Sequence, residues 1–484
     1  MILSCEQMRR AEQDAFARGV KADALMELAG TGIAREIRRF FPKPSRALAF
    51  CGAGNNGGDA RVALRILHEA GWKVAVRLVS EASGGGTFDV PSGSGPLVVL
   101  DGLLGIGARG PLREGILGAV REIRTLRGRG AFVVAMDLPT GLDPVTGVPA
   151  AESVESDLTT TVGFAKSCLL TDAAANVVGR LAVVPLPGVT AAEGDAARVS
   201  TPGWLAPLLP PRRFDTHKGT YGRIGIVAGS PGTYGAARLC SAAAVAAGGG
   251  LVTLFATPEA YDALATSVIP EVMVRRVSTL REVLDGLETP LDAAAVGPGA
   301  GFDRTSEILA LVSQLSCPTV VDADALTVTA RSPGVLAGAR GPRLLTPHPG
   351  EFVRFFPGTI KDRRLSVEAA AARWPCAWLL KGARTVMAEA GLPVIFNTTG
   401  HPGMASGGMG DVLSGVAAAL LARPGAGSVL ETAALAAWLC GRAAEIAIFE
   451  HGRSAESLRA SDVITYLGAA ANALREEGGE RNRG

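Results

Sequence analysis

Aromatic residues are scarce, at 5% of the 484 residues, and charge of one sign is missing: 48 Lys and Arg face 46 Asp and Glu, a net +2. Surfaces that hold nucleic acid or anionic lipid carry a basic excess, so no nucleic-acid partner is expected. With 48% hydrophobic and only 19% charged residues, disorder is excluded as the main state. Lysine is rare: seven of the 48 basic residues are Lys, so any Lys beside a glycine loop merits inspection. The seven cysteines (Cys5, Cys51, Cys168, Cys240, Cys317, Cys376, Cys440) contain no CxxC pair. That argues for reduced thiols and against a disulfide framework. No run reaches the roughly 18 apolar residues of a membrane span. The start MILSCEQMRRAEQDAF carries charge too early for a signal peptide. A soluble cytoplasmic enzyme with no membrane partner is expected.

What is plentiful is glycine, 62 residues, roughly double the usual share. It follows no every-third pattern, which excludes collagen and puts the excess in turns. The length suits two or three domains. A Pro-rich, small-residue stretch without helical or alternating period, residues 186–216, marks the seam. Before it lie strand-like runs Ala47–Phe50, Val74–Val79, Leu97–Leu100, Phe132–Met136, Leu158–Val162 and Leu181–Val184, with helical patterns Arg61–Ala70 and Gly115–Arg127. After it the same grammar returns with Ile224–Ala228, Leu251–Phe255, Ala293–Val296, Thr319–Val321, Arg343–Leu345, Ala377–Leu380, Val386–Glu389 and Val394–Asn397, and helices Asp411–Ala422, Glu431–Phe449 and Ser461–Arg475. Continuous apolar strands alternating with helices predict two α/β domains, residues 1–198 and 199–484, each with a parallel sheet. Ligands of such sheets bind beyond the carboxyl ends of the strands.

In the first half, FCGAGNNGGD follows a strand and opens a helix. Its Gly52, Gly54 and Gly57 make a GxGxxG, a phosphate cradle or simply a tight turn. The acidic ribose ligand expected about 20 residues on is matched poorly, by Glu81. Asn55 and Asn56 add amide oxygens. Asp101 ends LVVLD, and Asp137 ends FVVAMD ahead of Leu138-Pro139-Thr140-Gly141. Asn56, Asp101, Asp137 and Thr140 at one sheet edge are all oxygen donors, which suits a hard cation and argues against zinc. Each Asp alone reads equally well as a cap or turn residue.

In the second half, HKGTYG leads into a strand and then SPGTYGA. GPGAG, DADAL, TPHPGE and LKGART each follow an apolar strand run, and GMASGGMGDVLSG runs straight into a long helix. Amides at that helix start converge on an anion, and Asp411 is placed to take a proton from a substrate hydroxyl, unless it is merely the N-cap.

Taken in order, GNNGGD, DGLLGIG and MDLPTGLDPVTG resemble the NAD(P)H-hydrate epimerase domain over about residues 4–198. The resemblance implies a Rossmann-like three-layer domain that interconverts the R and S epimers at C6 of hydrated NADH or NADPH. It implies a potassium site at Asn56, Asp101 and Thr140, and substrate along Asn55, Asn56, Gly57, Gly58 and Asp59, along Gly105, Ile106, Gly107, Ala108, Arg109, Gly110 and Pro111, and at Asp137, the candidate acid/base. Two departures stand out: Ala60 where the family continues GGDG, adding a methyl that narrows the site, and Thr140 in place of Ser, which keeps the hydroxyl.

The second series resembles the ADP-dependent NAD(P)H-hydrate dehydratase domain of the ribokinase-like superfamily, over about residues 212–478. It implies that a phosphoryl group activates the C6 hydroxyl of the S hydrate and is eliminated as phosphate, with AMP as co-product. Ala236, Gly301, His348 and Asp411 are then expected at the hydrate, Asp411 as catalytic base. Lys381, Gly382, Ala383, Arg384, Thr385 and Gly410 are expected at the nucleotide, with magnesium as cation. The choice of ADP over ATP rests on the bacterial form of the family, and a homo-oligomer is expected. A ribokinase-like small-molecule kinase and a non-catalytic first domain are the alternatives.

Overall fold

The computed structural model describes residues 1–80 and 89–479; Glu81 lies outside the described residues. The chain divides into two compact units, Met1–Val199 and Ser200 onward.

In the first unit six parallel strands stand in the order Lys73–Leu78, Arg46–Cys51, Leu97–Gly102, Phe132–Met136, Leu158–Val162, Arg180–Val184. The central strands are apolar throughout because both faces are covered. Leu48, Phe50, Leu97 and Val99 form one core with Ile116, Val120 and Ile123 of helix Glu114–Gly128. The smaller Ala47, Ala49 and Cys51 alternate with Leu48 and Phe50 along the strand, and helix Asn55–Glu69 packs on it. Arg46–Cys51 comes first in this sheet yet lies between the two strands that follow it in sequence. The order of strands therefore reverses at its carboxyl end, which opens a crevice there.

The second unit repeats this plan. Parallel strands run Val272–Arg276, Leu251–Ala256, Arg223–Val227, Ala293–Val296, Thr319–Val321, Arg343–Leu345, Ala377–Leu380, and the antiparallel Val386–Ala388 and Ile395–Phe396 follow. The reversal falls at Arg223–Val227. Helices Tyr234–Ala246, Met409–Leu421, Val429–Phe449 and Ala460–Gly479 share one core with this sheet. Helices Tyr234–Ala246 and Met409–Leu421 touch backbone to backbone: a Cβ on Gly415 would lie 2.0 Å from the Cys240 carbonyl oxygen.

Three expectations need correction. Val272–Arg276, absent from the expected strands, is an edge strand whose apolar run is only the three residues 272–274. Helix Met409–Leu421 begins two residues before Asp411, and its N-cap is Gly408 in the left-handed region (φ 88°), so Asp411 is not the cap. One run is, by length and composition, long and apolar enough to cross a membrane: Val429–Phe449, mostly buried inside the second unit. All seven cysteines are buried free thiols.

Candidate active sites

The GxGxxG of the first unit does two different jobs. A Cβ on Gly52 would lie 2.1 Å from the Leu103 carbonyl oxygen, and one on Gly57 would lie 2.1 Å from that of Gly52. These two glycines exist for backbone contact. A Cβ on Gly54 meets nothing within 4 Å, and Gly54 is the N-cap of helix Asn55–Glu69. Asn55 is exposed, whereas Asn56, Gly57, Gly58 and Asp59 are buried. Ala60 is fully buried, and its methyl lies against Gly102 between helix and sheet rather than in open space.

Asn56, Asp101 and Thr140 form one network. Asn56 Nδ2 donates to the Leu104 carbonyl (2.8 Å), the Leu104 amide donates to Thr140 Oγ1 (3.2 Å), and Thr140 Oγ1 donates to Asp101 Oδ1 (2.7 Å). Asp101 Oδ2 accepts the Thr140 amide (2.8 Å) and Oδ1 accepts the Leu103 amide (3.3 Å). Burial pushes the Asp101 carboxyl up to about 6 against these hydrogen bonds. A fully buried carboxylate held by N–H and hydroxyl donors, in one network with the Thr140 hydroxyl and the Leu104 carbonyl, gives oxygen ligands of the kind that fit a monovalent cation. Among the described residues no group of three His, Cys, Asp or Glu could hold a metal. The loop Gly105–Pro111 follows, half-buried to exposed, with Arg9 Nη2 donating to the Ile106 carbonyl (3.1 Å).

Asp137 stands apart from that trio; no hydrogen bond joins it to them among the described residues. Its backbone is left-handed, φ 63°, one of two described non-glycine residues with positive φ. Such conformations cost about 1–3 kcal/mol and persist where surroundings enforce them. The Lys166 ammonium, fully buried, donates to Asp137 Oδ1 (2.6 Å), to Thr161 Oγ1 (3.0 Å) and to the Val162 carbonyl (2.6 Å). Cys5 and Cys168 lie beside this pair, Sγ to Sγ 3.7 Å. Sequence reasoning missed Lys166. The signal was available, since it is one of seven lysines and follows Gly163.

In the second unit the turn Ser230–Ala236 and the turn Gly297–Gly301 are tied together. Thr233 Oγ1 donates to the Gly299 carbonyl (2.7 Å), and the Gly301 amide donates to Asp324 Oδ2 (2.9 Å). Ala236 is half-buried next to Gly299. His348 caps helix Pro349–Phe355, its Nδ1 accepting the amides of Gly350 (3.0 Å) and Glu351 (3.3 Å). That leaves Nε2 as the donor nitrogen of an exposed ring. Lys381–Thr385 is the turn of the hairpin joining Ala377–Leu380 to Val386–Ala388. Arg363, which sequence reasoning also missed, clamps it by donating to the carbonyls of Leu380 (2.9 Å), Lys381 (3.0 Å) and Arg384 (3.0 Å). Gly382 and Ala383 are exposed, while the Arg384 side chain is buried.

Lys381 and Asp322 organise this site. Lys381 Nζ lies 2.9 Å from Asp322 Oδ1 and 3.8 Å from Glu351 Oε2. Ser414 Oγ, one turn along the helix from Asp411, donates to Asp322 Oδ2 (2.8 Å). Burial raises the Asp322 carboxyl, but the Lys381 ammonium and hydrogen bonds from Lys381, Ser414 and Thr346 outweigh it and hold the carboxyl below its ordinary value. The next residue, Ala323, is the second described non-glycine with positive φ (49°). The Asp411 carboxylate receives no hydrogen bond among the described residues. Burial, then the Asp322 charge, push it up to about 6, with Lys381 opposing.

A family model described as NAD(P)H-hydrate dehydratase matches residues 224–466, and the model of the YjeF-related protein N-terminus matches residues 22–90 and 81–168. The bifunctional NAD(P)H-hydrate repair enzyme Nnr of Moorella thermoacetica is 35% identical over 94% of this chain and 93% of its own length. This chain belongs to the bifunctional NAD(P)H-hydrate repair enzyme family. Its relatives of that name from Thermofilum pendens (35% identity, 95% of this chain, 94% of that protein) and Escherichia coli K12 (33%, 86% and 84%) match over both units as well. Among solved structures, the ADP/ATP-dependent NAD(P)H-hydrate dehydratase of Bacillus subtilis, co-crystallised with ATP and Mg2+, is 28% identical. It covers 57% of this repair-family chain and 99% of its own, with a TM-score of 0.50. A ribokinase-like superfamily protein of Enterococcus faecalis, 23% identical with a TM-score of 0.50, shares the fold.

Proposed function

We propose that this chain repairs hydrated nicotinamide nucleotides in two steps. The first unit interconverts the R and S hydrates of NADH and NADPH at C6. The second dehydrates the S form with ADP, returning the reduced nucleotide, AMP and phosphate. What carries this reading is that one chain of a bifunctional family holds both constellations: Asp137 with Lys166 beside the Asn55–Asp59 loop, and the unpartnered Asp411 beside Lys381.

In the first unit the hydrate lies along Asn55, Asn56, Gly57, Gly58 and Asp59, along Gly105–Pro111, and at Asp137. Asn56, Asp101 and Thr140 would hold potassium, which would supply a fixed positive charge there. In the second unit Lys381–Thr385 and Gly410 receive the nucleotide, and Ala236, Gly301, His348 and Asp411 receive the hydrate. Asp411 takes the proton of the C6 hydroxyl as its oxygen attacks the terminal phosphorus of ADP, and AMP leaves. The C6 phosphate ester then loses phosphate, the ring nitrogen lone pair forms an iminium, and loss of a C5 proton restores the C5–C6 double bond. Amides at the start of helix Met409–Leu421 and the Lys381 ammonium face the charge that develops on the transferred group. Magnesium on the nucleotide phosphates would offset part of their charge, as suits an ion that seldom needs an all-protein cage.

The test is a fresh mixture of R and S NADH hydrate, followed by return of the reduced-nicotinamide absorbance with ADP, with ATP and without nucleotide. Full, rapid recovery with ADP is expected. Rapid recovery of the S fraction alone removes the epimerase. No recovery with either nucleotide overturns the repair reading and favours a ribokinase-like kinase.

A further inference from the structure

We propose that Asp59, Asp137 and Lys166 act as one proton-transfer unit: Lys166 holds Asp137 with a single carboxylate oxygen left for substrate, and Asp59 carries the proton that is exchanged. The inference rests on the epimerase reading above and goes further, assigning the acid, the base and the residue that positions the base.

Three donors converge on the same oxygen of Asp137. Oδ1 accepts from Lys166 Nζ (2.6 Å), Thr161 Oγ1 (3.1 Å) and the Val162 amide (3.2 Å), whereas Oδ2 accepts nothing among the described residues. One oxygen is saturated and the other is open. Lys166 in turn is spent. An ammonium has three protons, and its three acceptors are Asp137, Thr161 and the Val162 carbonyl. With no accessible surface and no proton to spare, it is a positioning residue, not a substrate contact. It also anchors a side chain whose own backbone sits at φ 63°.

Asp59 is the complement. It is 8% exposed and accepts no hydrogen bond among the described residues. The charged groups that act on it are the carboxylates of Asp137 and Glu12 and the ammonium of Lys166, which Asp137 already engages; Arg9 acts on Glu12 in turn. Carboxyl groups crowded in this way cannot all ionise, and the one without a cation of its own keeps the proton.

The chemistry balances with these groups alone. Asp59 donates its proton to the C6 hydroxyl, the C6–O bond breaks, water departs, and the N1 lone pair forms the C6=N1 iminium. Water adds to the opposite face of C6 and gives its proton to Asp137 Oδ2. The hydrate is restored with C6 inverted, nothing is oxidised, and one proton has moved from Asp59 to Asp137; exchange with solvent water returns it to Asp59 before the next turnover in the same direction. The reverse epimerisation runs with the two roles exchanged.

The experiment uses the full chain without ADP and follows equilibration of purified R NADH hydrate by chromatographic separation of the epimers. Circular dichroism and thermal unfolding of each variant serve as the fold control for the first unit, since ADP-dependent dehydration reports only on the second. Asp59→Asn is expected to lower the epimerase kcat about 100-fold with KM within about threefold, and Asp59→Glu to recover part of it. Wild-type kcat is expected to fall as pH rises through about 8, where burial and the neighbouring carboxylates place Asp59. This limb is absent from the residual rate of Asp59→Asn. Lys166→Met is expected to lower kcat, and Lys166→Arg to restore part of it. Asp59→Asn with wild-type kcat and pH profile, or Lys166→Met that changes KM alone, overturns the proposal. A wild-type chain that does not equilibrate the epimers sinks the epimerase reading and this inference with it, a result distinct from the variant outcomes.

Discussion

Lys381 Nζ lies 2.9 Å from Asp322 Oδ1, and a methyl placed on Gly410 would come within 3.1 Å of the same nitrogen. The ammonium is held by a buried carboxylate and has little freedom to retreat. Gly410→Ala therefore crowds the place proposed for nucleotide phosphate beside Lys381. The cost of that contact to the fold is offset by the preference of a helix for alanine over glycine, about 0.5–1 kcal/mol. The expected outcome is an unchanged or raised Tm with a KM for ADP about tenfold higher. A variant with wild-type KM would show that the nucleotide does not approach this ammonium.

Asp411 makes opposite demands on stability and on rate. Its carboxyl sits at about 6 because burial and Asp322 disfavour the charge, above an unfolded value of roughly 3.9. The folded chain thus holds the extra proton between these values. Ionised Asp411 destabilises the fold fully above pH 6, and the penalty fades to nothing below about pH 4. Asp411→Asn should raise Tm at pH 7 and leave it unchanged at pH 4. The same variant should lose dehydratase turnover by about 100-fold or more while epimer equilibration continues. The wild-type dehydratase rate should climb as pH rises through about 6, since the base acts when ionised. A Tm gain that persists at pH 4 would place its cause elsewhere.

Why so much was readable follows from the sheets. The apolar runs of strands Leu97–Gly102 and Ala293–Val296 lead straight into Asp101 and Gly297, so the sequence marks both the strand and the sheet edge where the candidate site residues gather. Val272–Arg276 was not legible because an edge strand with exposed Met273, Arg275 and Arg276 has an apolar run of only three residues that ends in two arginines. Long-range partners were not legible either. Asp137 and Lys166 are 29 residues apart, and no local pattern says that the chain returns through strand Leu158–Val162 to put an ammonium under a carboxylate. Asp322 was visible as a residue but not as the clamp between Lys381 and Ser414, which only the parallel register of three strands brings about.

The glycine loop of the first unit separates packing from binding. Gly52→Ala and Gly57→Ala would each drive a Cβ to 2.1 Å from a backbone carbonyl oxygen, where no side chain can yield. Both should destabilise the chain by more than about 2 kcal/mol, as overpacking in a rigid site does. Gly54→Ala meets no atom within 4 Å and should cost no more than about 1 kcal/mol, the usual loss on placing alanine at an N-cap. Any loss of epimerase activity in Gly54→Ala, measured beside an unchanged denaturation midpoint, would then report crowding of the substrate. Equal destabilisation of all three variants would contradict this division.

Thr140 allows the cation site to be tested without relying on activity. Its hydroxyl donates to Asp101 and accepts the Leu104 amide, which is in turn next to the carbonyl held by Asn56. Thr140→Val removes both bonds and should cost about 1–3 kcal/mol through the buried groups left unpaired, whereas Thr140→Ser keeps them. A cation that binds only the folded state adds about 1.4 kcal/mol at a tenfold excess over its Kd. Potassium chloride should therefore raise Tm above that in choline chloride at equal ionic strength for the wild type and for Thr140→Ser, and not for Thr140→Val. A potassium-dependent gain of the same size in Thr140→Val would remove the ion from Asn56, Asp101 and Thr140.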